Sequence, residues 1–281
     1  MATIEDQIVL VTGATDGIGK QTSHDLAQMG ATVLLHGRDL ERAEATRHEI
    51  YMATGNDHLE CYLADFSSLA CVRQLAEAVQ AKHGYLNILI NNAGIGSGDL
   101  TQRQQTLSHD GYELRFAVNY LAPFLLTHLL LPCLRQAVPS RIVNVASKGQ
   151  LPLDFEDIML NQRYNPMQAY CQSKLAMIMF TFDLAERLKD EGILVNCLHP
   201  GSRLNTKMVR EMFGQPWGSV QSGADAVIYL ATSIELEGIT GQYFEQMQQA
   251  QAVAQAYDQQ ARQKLWQLSQ ALCSMTPRPR R

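Results

Sequence analysis

The sequence predicts a single α/β domain: a doubly wound parallel sheet of about seven strands flanked by helices. Three observations carry this expectation. Short apolar, β-branched runs alternate with longer segments of helical period through most of the chain. The first apolar run leads straight into a glycine-rich turn and then a helical segment. The 46% hydrophobic content of the 281 residues supplies a substantial core. No linker rich in Pro, Gly and Ser, run of like charge, internal repeat or low-complexity block interrupts the pattern. The domain is therefore expected to span residues 1–275, with a loop at about 200–220 and a C-terminal helix, followed by a basic tail at 276–281.

In order, the strands are read at 8–12, 32–36, 59–63, 86–90, 141–145, 194–198 and 241–244, with helices in the gaps. Right-handed crossovers would align the strand C-termini along one edge, where open α/β sheets gather their sites. Residues 252–272 read as a last amphipathic helix, with Val253, Tyr257, Ala261, Leu265, Leu268 and Leu272 near one face, expected to pack on its own domain. The tail from Pro277 to Arg281 is proline-broken and basic, and is given no role.

A net charge of −5 argues against a nucleic-acid partner, which normally needs a basic surface. The opening residues Met1 to Asp6 run at once into a strand and carry no secretory pattern. The longest apolar run, 121–131, contains Pro123, Thr127 and His128 and is shorter than the roughly 20 residues of a membrane helix. No integral membrane segment and a cytoplasmic location are thus expected. The six cysteines form no C-x-x-C pair, so neither a disulfide framework nor a metal site is expected.

The turn Thr12-Gly13-Ala14-Thr15-Asp16-Gly17-Ile18-Gly19 sits between the first strand and a helix at 18–29. Glycines there let backbone N–H groups approach a pyrophosphate, and the helix N-terminus adds positive partial charge. Gly13, Thr15, Asp16, Gly17, Ile18 and Gly19 are therefore candidate cofactor contacts. The second strand ends at His36-Gly37-Arg38, where NAD enzymes usually carry an acid for the ribose 2′-hydroxyl. Gly37 in that place, with Arg38 beside it, offers a cationic fork for a 2′-phosphate, which favours NADP(H) over NAD. Lys20 is either a further charge for it or a surface lysine. Asp65 could accept from an adenine amino group, cap the next helix, or do both.

Tyr170 and Lys174 lie one helical turn apart. A phenol carries protons usefully at neutral pH only if a nearby cation favours the phenolate, and lysine at i+4 supplies one. Taken with Asn91-Asn92-Ala93-Gly94, Asn119, Ser147 and Pro200-Gly201 in this order, the chain resembles the short-chain dehydrogenase/reductase family over nearly its whole length. Asn119-Tyr120-Leu121-Ala122-Pro123-Phe124, His199-Pro200-Gly201 and Gly241-Gln242-Tyr243-Phe244 are similar to its retinol dehydrogenase and protochlorophyllide reductase branch.

The resemblance implies a Rossmann-type fold and a catalytic set of Asn119, Ser147, Tyr170 and Lys174. Tyr170 would be general acid or base, Ser147 would hold the substrate oxygen, and Lys174 would lower the Tyr170 pKa and hold the nicotinamide ribose. Asn119 would position a water leading from Lys174 to solvent. Asn92, Ala93 and Gly94 would contact the cofactor near the nicotinamide-side ribose, and Pro200 and Gly201 would lead to the segment beside its carboxamide. The path from Pro200-Gly201 to Thr206 is one residue longer than usual in the family.

Leu151, Pro152, Leu153 and Phe155, with Leu204, Met208, Met212, Phe213 and Trp217, are expected to wall an apolar substrate pocket. The expected activity is NADP(H)-dependent interconversion of an apolar alcohol and its ketone or aldehyde. Reduction of a conjugated double bond, or a non-catalytic NADP-binding sensor, is the alternative. Homodimers and homotetramers are both compatible with the sequence.

Overall fold

A computed structural model describes residues 3–275, with the Phe213 side chain excepted; the basic tail at 276–281 lies outside them. Eight strands form one sheet in the order β3-β2-β1-β4-β5-β6-β7-β8. They are β1 (Ile8–Thr12), β2 (Thr32–Gly37), β3 (Leu59–Leu63), β4 (Ile88–Asn91), β5 (Ser140–Val145), β6 (Ile193–His199), β7 (Tyr243–Glu245) and β8 (Gln248–Ala250). The first seven pair in parallel and β8 returns antiparallel on β7. Strands 1, 2, 4 and 5 are buried along nearly their whole length, as continuous apolar runs covered on both faces should be.

The helices are α1 (Gly17–Gln28), α2 (Leu40–Thr54), α3 (Leu69–Lys82), α4 (Leu114–Phe116), α5 (Ala122–Arg135), α6 (Pro166–Arg187), α7 (Lys207–Phe213), α8 (Val220–Thr232) and α9 (Gln259–Leu272). Helices α1, α2 and α8 cover one face of the sheet, around Val9, Val11, Leu26, Leu35 and Val227. Helices α3, α5 and α6 cover the other, around Leu10, Leu75, Phe124, Leu126 and Phe180. Strand order reverses direction between β1 and β4, which places a crevice at their C-terminal ends.

Helices α4 and α5 are joined by a π turn, Ala117–Leu121, closed by the Ala122 N–H on the Ala117 carbonyl. The continuous stretch Leu114–Arg135 is 22 residues long and by length and composition alone could cross a membrane, which corrects the expectation that no apolar segment reaches that length. Its most apolar window is 78% buried inside the protein, packed between α3 and α6. Core burial accounts for its composition.

The last helix starts later than its periodicity predicts. Asp258 accepts from the N–H groups of Gln260 and Ala261 and so starts the helix there, while 254–257 form a 3-10 turn. Its buried stripe is Arg262, Leu265, Trp266 and Ser269, and Tyr257 is exposed. Trp266 packs edge-on against Phe124 and His128, and the Arg187 guanidinium stacks over its ring at 3.9 Å. Ser269 Oγ hydrogen-bonds the buried Tyr120 hydroxyl at 2.6 Å. The helix thus covers α5 and α6 of its own chain.

Candidate active site

A cleft of about 980 Å³ runs along the C-terminal edge of the sheet, from Arg38 and Asp65 at one end to Ser147, Tyr170 and Met212 at the other. Every residue the sequence singled out for cofactor contact or catalysis lines it except Asn119, which stands behind it, and Lys20.

The glycine turn is built for close approach. Gly13 has φ +68°, and a Cβ there would lie 2.8 Å from Ala93 Cα. A Cβ on Gly19 would collide with the Gly13 carbonyl and the Asn92 amide. Thr12 ties the turn to the next crossover: its hydroxyl donates to the Ile90 carbonyl and accepts from the N–H groups of Asn92 and Ala93. The Asn92 amide in turn donates to the carbonyls of Thr12 and Gly13. The Asn92 side chain is therefore committed to fixing the turn, whereas its sequence position suggests direct ribose contact. Gly13→Ala is expected to cost about 1–3 kcal/mol of stability through strain. It is also expected to abolish any rise in melting temperature that a nicotinamide dinucleotide gives the parent protein, measured by differential scanning fluorimetry.

Beside the turn, His36 is buried and stacked on Phe66 with ring centroids 4.4 Å apart. Burial pushes its pKa down to about 4, with the Ala64 carbonyl and Asp65 opposing. Nδ1 accepts from the Gly13 N–H, so Nε2 carries the proton and donates to the Ala64 carbonyl. This neutral imidazole braces the glycine turn. Gly37 packs against the Thr15 side chain, which would have to shift to admit a Cβ, since one would lie 2.6 Å from Thr15 Cγ2.

Arg38 is exposed on the cleft wall. A second guanidinium missed from the sequence, Arg42, also lines this end and reaches the Thr15 carbonyl and the Asp16 carboxylate at 3.3 Å. Asp16 caps α1 by accepting from the Gly17 N–H. Lys20 turns away to pair with Glu49 and does not line the cleft. Asp65 accepts from the Ser67 N–H at 2.9 Å, and α3 is capped by Ser68, so Asp65 is no helix cap. Burial opposes its ionisation, but Ser67, His109 and Arg38 outweigh that and hold its carboxyl below the usual range.

At the other end, Ser147 lies just beyond β5 and Tyr170 on α6. Ser147 and the Tyr170 phenol line the same end of the cleft, and the Ser147 oxygen accepts from the Gly149 N–H at 3.0 Å. Burial raises the Tyr170 pKa, and the Ser147 contact only partly offsets it. The Lys174 ammonium is 5.9 Å from the centre of the Tyr170 ring and donates to the Val145 carbonyl at 2.9 Å. Desolvation lowers the Lys174 pKa to about 8.

This shift has a stability consequence. Because the folded pKa lies below the ordinary value of 10.5, the unfolded chain binds the proton more firmly. Stability from this group therefore rises with pH between about 8 and 10.5, and the cost of burying the cation is fully present below about 8. Lys174→Met is expected to relieve up to about 3 kcal/mol of that cost near neutrality, less the lost Val145 hydrogen bond. The gain should vanish near pH ~10.5 in urea-unfolding titrations.

Asn119, in the π turn, is almost completely buried. Its amide oxygen accepts from the Ile95 N–H at 2.8 Å, and its Nδ2 donates to the Ile95 carbonyl and to Ser173 Oγ, both at 3.0 Å. It clamps the segment after β4 to α6. Gly94 lies between, where a Cβ would come 3.2 Å from Asn119 Oδ1 and 3.5 Å from Lys174 Nζ.

Beyond Pro200 and Gly201, Thr206 caps α7 and lines the cleft, with its methyl packed toward Gly17. The extra residue of the path is absorbed without removing Thr206 from the site. The substrate end is walled by Ile95, Leu114, Val118, Met167, Met208 and Met212. Leu151, Pro152, Leu153 and Phe155 do not line it: Leu153 is buried in the core and Leu151 is exposed. Trp217 is 76% exposed and stacks on Arg203 instead. Leu204, Met208 and Met212 are the residues of that expected wall that the structure brings to the cleft.

Fold and site define a class: a doubly wound α/β protein with a crevice that starts at a glycine-rich turn and ends in a Ser-Tyr-Lys cluster. The short chain dehydrogenase family model matches residues 7–216, and the chain belongs to that family. It is an oxidoreductase of this family related to retinol dehydrogenases. Human retinol dehydrogenase 13 is 36% identical over 98% of this chain and 86% of its own length. Human retinol dehydrogenase 11 is 37% identical over 94% of this chain and 84% of its own.

Among solved structures, the RhlG/NADP active-site complex of Pseudomonas aeruginosa superposes with a TM-score of 0.71 and 28% identity, covering 87% of this chain and 97% of that one. The 3-ketoacyl-(acyl-carrier-protein) reductase of Brucella melitensis complexed with NADH gives 0.68 and 26%, covering 86% and 97%. The family's solved structures thus include both nicotinamide cofactors.

Proposed function

We propose that the protein is an NADP(H)-dependent oxidoreductase that interconverts an apolar alcohol and its aldehyde or ketone. The observation that carries this reading is the Ser147–Tyr170 hydroxyl pair, with Lys174 behind it, at the apolar end of a cleft whose other end carries Arg38 and Arg42.

The residues present fit a nicotinamide dinucleotide. Gly13, Gly19 and Gly94 line the cleft with bare backbone, a Cβ at 13 or 19 being barred by collision with neighbouring segments of the chain, and the N-terminus of α1 faces the turn. Arg38 and Arg42 suit a 2′-phosphate, and the glycine at 37 leaves the place where an NAD enzyme carries an acid without one. When bound, NADPH supplies the hydride.

The chain's own residues manage the oxygen. Ser147 donates to the substrate carbonyl oxygen and stabilises the charge that develops on it. Tyr170 gives its phenolic proton to that oxygen in reduction and takes it back in oxidation. Lys174, as a cation, favours the phenolate that remains, opposing the upward push of burial. Asn119 holds the 94–95 segment against α6 and so keeps the nicotinamide side of the cleft in register with Tyr170. Methionines 167, 208 and 212 give the substrate an adaptable apolar wall.

Nicotinamide absorbance followed against a panel of apolar aldehydes and ketones, with NADPH and NADH in parallel, tests the reading. Turnover with NADPH on at least one carbonyl is the expected result. Tight NADPH binding without turnover on any of them would defeat it.

A further inference from the structure

We propose that Arg115 is a positioning residue for the substrate chamber: its guanidinium, shared with Glu113 and Tyr164, ties the chamber's floor at Gly96-Ser97 to the loop that leads into the Tyr170 helix. The inference rests on reading the cleft as an alcohol and carbonyl site.

Arg115 and Glu113 are 5% and 1% exposed, so the pair is buried. Burying such a pair is costly unless nearly every donor and acceptor is used. Here they are used in a directed way. Arg115 Nε donates to the Gly96 carbonyl at 3.2 Å and Nη2 to the Ser97 carbonyl at 2.5 Å. Nη1 donates to the Tyr164 hydroxyl at 2.6 Å and to Glu113 Oε1 at 3.3 Å. Tyr164 completes the ring by donating to Glu113 Oε1 at 3.1 Å. Burial and the neighbouring carboxylate push the Tyr164 pKa up to about 12, so the phenol remains a donor. The second oxygen of Glu113 accepts from the Phe116 N–H at 2.8 Å and starts the helix that carries Asn119.

What this ring holds is the chamber. Gly96 is the floor against which α7 closes: a Cβ there would lie 2.6 Å from Met212 Sδ and 2.9 Å from Met208 Cγ. Tyr164 immediately precedes Asn165, which caps α6 by accepting from the N–H groups of Met167 and Gln168, and Met167 lines the same chamber. One guanidinium therefore fixes the distance between the surface that receives the two α7 methionines and the wall that carries Met167. None of these three residues belongs to the proton-transfer set, and the ring stands 49 to 51 residues apart in sequence at its Tyr164 corner.

Tyr164→Phe in the full-length protein is the test, because it removes one hydroxyl and leaves the Arg115–Glu113 pair together. KM for whichever carbonyl the parent reduces is expected to rise about tenfold, the loss of a hydrogen bond to a charged group. The kcat should stay within about twofold and NADPH affinity should be unchanged. Arg115→Lys, which keeps the charge but cannot span four acceptors, should shift KM further in the same direction. Hydrogen exchange at 155–165 should quicken in both variants.

An unchanged KM, or a joint fall in kcat and NADPH affinity, would overturn the proposal. If the parent reduces no carbonyl at all, the functional reading fails. Hydrogen exchange then still decides the tie: faster exchange at 155–165 in Tyr164→Phe upholds the coupling, and unchanged exchange refutes it.

Discussion

Tyr170→Phe is expected to slow NADPH-dependent carbonyl reduction about a thousandfold, within the range a positioned general acid contributes, while NADPH still binds. The phenylalanine ring keeps the packing of α6 and leaves Ser147 in place, so what is removed is the hydroxyl proposed as proton donor. The state of the site sharpens this expectation. Burial raises the Tyr170 pKa and the Ser147 hydroxyl lowers it only in part, so the residue begins as the protonated acid that reduction needs. The oxidative direction must deprotonate it and depends on Lys174 staying charged, which its pKa of about 8 makes sensitive to alkali. Single-turnover hydride transfer with bound NADPH separates the chemical step from binding. Retention of more than about a tenth of the parent rate would remove Tyr170 from the role of general acid.

Arg38→Asp is expected to swing the ratio of kcat/KM for NADPH over NADH by about a hundredfold toward NADH. The proposed charge-assisted contact would be lost and a repulsive one introduced, and both would act on the 2′-phosphate alone. Arg42 remains beside the site, but one of its guanidinium nitrogens is engaged by Asp16 and the Thr15 carbonyl, so it compensates only in part. Initial rates with each cofactor against one carbonyl give the ratio directly. An unchanged ratio would mean that neither the exposed guanidinium nor the missing acid at Gly37 sets cofactor choice.

Much of the frame was legible because its signals are local. Buried parallel strands read as short apolar runs, and the β1 and β3 boundaries agree with the structure to the residue. β4 starts two residues later than its apolar run because the Leu86 N–H bonds to the Cys133 carbonyl and the Asn87 side chain takes the Ile8 N–H, so regular pairing with β1 begins only at Ile88. β8 was invisible: Gln248-Gln249-Ala250 is a polar edge strand with no hydrophobic period to detect. The last helix was read seven residues too long because alanines and glutamines suit a helix anywhere, and only the Asp258 side chain decides where it starts.

In the site, Ser147, Tyr170, Lys174 and the glycine turn could be found because each follows a strand or keeps a helical spacing. Arg42, His36 and the Arg115 ring could not, since the partners that give them their roles, Asp16, Gly13, Ser97 and Tyr164 among them, lie far away in sequence and no spacing rule joins them. The 151–155 half of the expected apolar wall misses the cleft for a related reason. Leu153 and Phe155 have the right chemistry for a pocket, and the fold spends them on the core, while Met167 and Val118 on helices supply the wall.

The π turn at Ala117–Leu121 sets a constraint on chain length as well as on geometry. An α-helix advances about 100° per residue, so the one extra residue in this turn puts everything after it out of phase with everything before by roughly that angle. Upstream, the phase aims Arg115 at Ser97; downstream, it aims Phe124 and Leu125 into the core; Asn119 stands where the two phases meet. Losing or gaining a single residue between Arg115 and Phe124 would leave every side chain chemically intact and still misalign one half of the helix. The spacing of this segment is thus as much a part of the site as the residues that touch the cleft.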